Sequence, residues 1–148
     1  MKLLAIVLVF AVCVGIGFCK AAGIEGRADD IQTAIRETES ILLHVQIRKL
    51  PIRSFAKEEK EMRMLHILEG TAEAAEQFRY LLPKEQAYIT RFIHTMQNKG
   101  TSEIAAEGRA LIECFSKAAK HTEEEKTRTG MFRAVGALCG AVLAILLW

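Results

Sequence analysis

The sequence predicts an all-α protein, an up-and-down antiparallel bundle of three or four helices flanked by a hydrophobic helix at each end. Three observations carry this. The middle of the chain is rich in Glu, Lys, Arg, Ala, Gln and Leu, which favour helices, and poor in breakers, its prolines being Pro51 and Pro83. Apolar residues there recur at helical spacing between stop signals. The remaining apolar content crowds into residues 1–23 and 131–148. No alternating strand pattern, internal repeat or low-complexity linker interrupts this plan.

The chain opens with Met1-Lys2, runs uncharged from Leu3 to Phe18, and continues Cys19-Lys20-Ala21-Ala22-Gly23. A positive residue, an apolar run and small residues are the three regions of a secretory signal peptide, with cleavage expected after Cys19, Ala22 or Gly23. The apolar run is longer than the usual signal core, so residues 1–23 read as a signal peptide or an uncleaved signal anchor.

Residues 24–130 form the body. Asp29 with Gln32 reads as a capping box that starts its first helix. Ile31, Ala34, Ile35, Ile41, Leu42 and Val45 mark one face, and the pattern stops at Leu50-Pro51, because a residue before proline is pushed out of the helical region. Ser54 caps a second helix, whose face runs Met62, Leu65, Leu68, Ala72, Ala75, Phe78 and Leu82. Pro83 ends it and suits the first turn of a third helix, faced by Ile89, Phe92, Ile93 and Met96 and ended by Gly100. Thr101 or Ser102 caps a fourth, with a seam of Ile104, Gly108, Leu111, Phe115 and Ala118. Gly70 and Gly108 stand inside helical patterns at ~1 kcal/mol each against alanine, which points to close approach of a neighbouring helix. The third helix is the short one, so a three-helix bundle with a broken third member is the main variant.

After Met131-Phe132-Arg133 the chain is uncharged from Ala134 to Trp148. As a helix this stretch spans ~22 Å, short of a bilayer core of ~30 Å. Residues 131–148 therefore read either as a membrane helix or as the removable tail of a glycolipid-anchor signal. For an anchor, Ser116 and Ala118 have the spacing of an attachment residue. For a membrane helix, Gly136 and Gly140 form a small-xxx-small pair that lets a second helix approach, including one from another copy of the chain.

The net charge of +2 overstates the body, because Lys2, Lys20 and Arg133 belong to the ends. Without them seventeen basic residues face eighteen acidic ones, with the signs interleaved. Phosphate binding needs clustered positive charge, so nucleic acid is not an expected partner. Cys114 is the body's single cysteine, which excludes a disulfide framework there.

No phosphate loop, nucleophile elbow or zinc spacing is visible, and no catalytic residues, metal or cofactor are expected. His44, His66, His94 and His121 fall one per helix, but not in one layer: His44 stands ~9 Å and His66 ~18 Å from the turn joining their helices. Glu69, Glu73 and Glu76 form an acidic row on the second helix. They read as a solvated face, as pairs to Arg109 and Lys117 of the fourth helix, or as a partner face, while Glu113 and Lys117 form an ordinary i, i+4 pair. Two functions follow. The first is a non-enzymatic secreted or cell-surface protein that binds a protein or other ligand through an exposed helix face. The second is a two-span integral membrane adaptor whose terminal helices associate. In that case basic flanks on the body side of both runs put the body in the cytosol.

Overall fold

The computed structural model describes residues 2–48 and 61–147, and all regular structure among them is helical. The expected stop at Leu50-Pro51 and the Ser54 cap lie outside the described residues. The chain divides into two compact units: a terminal unit of Met1–Ala28 with His121–Trp148, and a body of Asp29–Lys120.

Helix α1 (Lys2–Leu43) is one continuous element of 42 residues, followed by a π-helical turn, His44–Arg48. The expected helix start at Asp29 is therefore corrected. Ala21, Ala22, Glu25 and Ala28 are good helix formers, and no proline intervenes, so nothing stops the apolar helix from running into the amphipathic one.

In the body, the α1 stripe of Ile31, Ala34, Ile41 and Val45 is buried as expected. The expected second helix is broken. Helix α2 (Arg63–Leu68) ends at Gly70, whose φ of +72° is left-handed backbone that suits glycine. Thr71 N–H donates to the His66 carbonyl at 3.0 Å and Gly70 N–H to the Ile67 carbonyl at 3.0 Å, which is a Schellman cap. Gly70 thus terminates a helix rather than weakening one. Gln97 Nε2 covers the Leu68 carbonyl at 3.2 Å.

A short helix α3 (Ala74–Gln77) follows, and its Glu76 carboxylate accepts from Glu73 N–H at 3.5 Å. Helix α4 (Pro83–Asn98) starts with proline in its first turn, and Glu85 accepts from Leu82 N–H at 2.8 Å. Helix α5 (Thr101–Lys126) starts at Thr101, with the Gly100 carbonyl accepting from Glu103 and Ile104 N–H, so Gly100 holds the cap position in place of Thr101 or Ser102. The second element of the bundle, not the third, is the broken one.

One core joins these helices. Phe78, Phe92, Phe115, Ile31, Ile41, Met64 and Ile89 are its largest fully buried side chains. Ile104 and Leu111 join Phe115 in it, and Ala118 packs on its edge. Gly108 is the close approach expected of it. A Cβ there would lie 2.7 Å from Leu42 Cδ2, so glycine lets α1 and α5 meet. In the terminal unit, the early part of α1 pairs with helix α6 (Thr129–Leu147).

Candidate functional site

The terminal pair is antiparallel. A Cβ placed on Gly17 would lie 2.8 Å from the Phe132 carbonyl oxygen, and one on Gly136 would lie 3.0 Å from the Cys13 carbonyl oxygen and 3.3 Å from Gly17 Cα. One on Gly140 would meet the Phe10 ring at 2.9 Å. The expected packing glycines therefore sit at a helix crossing, and their neighbour is the chain's own α1. Gly17 also had a legible signal, since Ala21 stands four positions on in the same small-xxx-small spacing, but the sequence was not read there as a packing face.

Charge closes one end of the pair. Arg133 Nη2 lies 2.7 Å from Glu25 Oε1, and Arg27 Nη1 lies 3.8 Å from Glu125 Oε2. Lys20 Nζ stands 4.5 Å from the Phe132 ring centre, and the Arg133 guanidinium 5.4 Å from that of Phe18, so each helix lends a cation to the other's aromatic ring. Away from the crossing the surface is apolar. Val7, Val12 and Ile16 of α1 and Leu138, Ile145 and Leu146 of α6 are more than half exposed. Among the described residues one helix, near the N-terminus, is long and apolar enough to cross a membrane or to serve as a signal sequence.

The other sequence candidates are dispersed. Ser116 and Ala118 lie in the middle of α5, directly after the buried Phe115. Glu69, Glu73 and Glu76 are all exposed, but the turn at Gly70 takes them off any single helix. Glu69 caps the end of α2, while Glu73 and Glu76 open α3. Lys117 pairs with Glu113 at 2.8 Å, the expected i, i+4 pair on its own helix, and not with this row. Glu73 lines an open groove of about 840 Å³ beside α4.

A polar cluster within the body escaped the sequence reading. Arg63 Nη1 donates to Asp30 Oδ1 at 2.7 Å and to the Gln77 carbonyl at 3.2 Å. Asp30 Oδ2 accepts from Tyr80 N–H at 3.0 Å. Glu37 accepts from the first two N–H groups of α2, Arg63 at 2.9 Å and Met64 at 2.8 Å. Both carboxylates are buried, and burial raises the Glu37 pKa above the ordinary carboxylate value against the pull of those two N–H groups and of Arg63 and Arg36. The legible signal was register: Asp30 and Glu37 fall in line with Ala34 and Ile41 at helical spacing, on the core face.

His44 is buried, His66 lies 3.4 Å from the Thr71 hydroxyl, His94 borders the groove and His121 lies 3.7 Å from Glu125. Among the described residues no group of three or more His, Cys, Asp or Glu side chains is placed to hold a metal ion. Compared with known protein families, with curated proteins and with solved structures, the chain has no significant match in any of the three.

Proposed function

We propose that this protein is a non-enzymatic helical interaction module, held in a membrane by two spans, the early part of α1 and α6, with its body on the cytosolic side. The observation that carries this reading is the backbone approach of Gly17 to Gly136. A signal sequence that is removed needs only length and apolarity. A glycine placed where a later helix crosses it is a feature of a helix that stays, since small residues let membrane helices come close enough to pack. The exposed apolar faces of both helices suit hydrocarbon. With Arg133 snorkelling outward, residues 131–147 of α6 span ~26 Å, a little short of a bilayer core of ~30 Å. Lys20, Arg27, Lys126, Arg128 and Arg133 flank the spans on the side where the chain enters the body, which favours the cytosolic face.

Cross-linking tests the pair. The Cβ of a side chain at 140 would stand 3.4 Å from Cys13 Cβ, close to the separation of a disulfide. In membranes carrying Gly140→Cys with Cys19 and Cys139 replaced by serine, mild oxidation should therefore join Cys13 to residue 140. Peptides from residues 3–18 should also remain in the membrane-bound protein. A membrane-bound protein lacking those peptides, with no cross-link, returns the chain to the cleaved-signal reading.

Sidedness is tested separately. Protease added to intact cells should leave the body whole, and digest it after permeabilisation. Digestion in intact cells favours a secreted or surface protein, for which the signal-like start, Lys2 with Leu3–Phe18 and small residues beyond, is the supporting observation. Release by a phospholipase that cuts glycolipid anchors would then implicate Ser116 or Ala118.

A further inference from the structure

We infer that the groove beside α4 is the docking site for a basic amphipathic helix of a partner protein. This rests on the reading of the body as an interaction module and names what it takes. The floor of the groove is a second stripe of α4, Pro83, Gln86, Ala87, Thr90, Arg91 and His94, distinct from the core stripe of Ile89, Phe92, Ile93 and Met96. From Pro83 to His94 it runs ~17 Å, three turns of helix. The facing wall is Ile67 and Ala72 to Ala75.

Three features select the occupant. The first is side-chain size. Ala72, Ala74, Ala75, Ala87 and Thr90 are small, so a helix could lie at the ~8–10 Å that helix packing requires. The second is that three of the four polar side chains of the floor, all but His94, are already engaged. Gln86 Nε2 donates to the Phe78 carbonyl at 3.0 Å, Thr90 Oγ1 to the Gln86 carbonyl at 3.0 Å, and Arg91 Nε is 2.7 Å from Glu107. What they leave for a ligand is mainly apolar surface, which suits a helix face better than a polar metabolite. The third is charge. Glu73 on the wall and the exposed Glu69 and Glu76 beside it in the chain make that flank acidic, while Arg91 is neutralised by Glu107. Basic residues on one side of the incoming helix complement this flank and fix its orientation. Tyr80, Leu82 and Tyr88, three of the body's four exposed large apolar side chains among the described residues, bracket Pro83 in sequence and enlarge the apolar surface at that end.

The test uses the full chain in detergent micelles and two synthetic 14-residue helical peptides. Both carry Ala and Leu on one face, with Lys on the flank of one and Glu on the flank of the other. The Lys peptide should bind saturably, at least tenfold more tightly than the Glu peptide and than to empty micelles, and should weaken with salt. Ala87→Trp, which fills the floor from an exposed position, should weaken it at least tenfold while leaving helicity and melting unchanged, and Glu73→Gln, which keeps a side-chain oxygen at the start of α3, should weaken it and reduce its salt dependence. No saturable binding, equal binding of the two peptides, or binding indifferent to Ala87→Trp overturns the inference. Self-association of the chain that Ala87→Trp abolishes also overturns it, by giving the groove to a second copy. None of these outcomes depends on the Cys13 cross-link, so the anchor and the groove can fail separately.

Discussion

Glu37 is the side chain on which charge and burial conflict most openly. It replaces the missing carbonyl partners of two N–H groups at the start of α2, yet it is only 5% exposed. Glu37→Gln keeps the shape but turns an NH2 group toward one of those donors, leaving it unsatisfied. It should cost about 1–3 kcal/mol in urea unfolding. The pH dependence has a definite sign. The folded Glu37 pKa is raised, chiefly by burial, so between the unfolded and folded values the native state holds more protons than the unfolded chain. The stabilisation from this group is complete below an unfolded carboxylate pKa of about 4.3 and is lost as pH rises through the folded value. Relative to Glu37→Gln, the native protein should therefore lose stability as pH climbs out of the carboxylate range. A difference that grows with pH instead would show that the two N–H bonds outweigh burial.

At the level of elements, most boundaries were legible where a single residue type acts locally. Pro83 opens α4, Thr101 opens α5, and Gly108 sits where α1 and α5 meet. Phe115 was placed in the core from the seam alone, and it is 1% exposed. The misreadings share a cause: a local signal had two uses. Asp29 and Asp30 look like a cap, but Asp30 is committed to Arg63, which stands 33 residues later, so the helix has no reason to begin there. Gly70 fits both a tolerated helical glycine and a left-handed stop, and only the carbonyls of His66 and Ile67 decide between them. Because φ is +72° at that position, Gly70→Ala should cost about 1–2 kcal/mol. Gly70→Asn should recover more than half of that, since asparagine tolerates the left-handed region. The urea midpoints of the two variants measure this. A midpoint for Gly70→Ala above that of the native chain would place the residue in ordinary helix, where alanine gains ~1 kcal/mol over glycine.

At the level of the whole molecule, composition announced two apolar ends and a nearly neutral body, but it gave no sign that the ends belong to each other. Gly136 and Gly140 advertised a packing face; the helix that fills it lies at the opposite end of the sequence. Glycine spacing records that a helix will come close and carries no address for which one. The acidic residues 69, 73 and 76 were legible as a solvated surface. The groove beside them was not, because it depends on the break at Gly70 swinging Ala72–Ala75 against α4.

The pairing of Arg133 with Glu25 closes a loop of 108 residues, whereas the bonds that Asp30 and Glu37 accept from Arg63, Met64 and Tyr80 close 26 to 50. Long closures come late in folding, because the chain must give up more freedom before any contact rewards it. The body therefore has the shorter route to its native state and can assemble first. Once Asp29 and Lys120 are held in the folded body, much of the entropy that opposed joining α1 to α6 has already been removed. The terminal pair is in this sense a late event whose rate is set by the body, and a slow-folding body would leave two apolar helices apart for as long as it stays open.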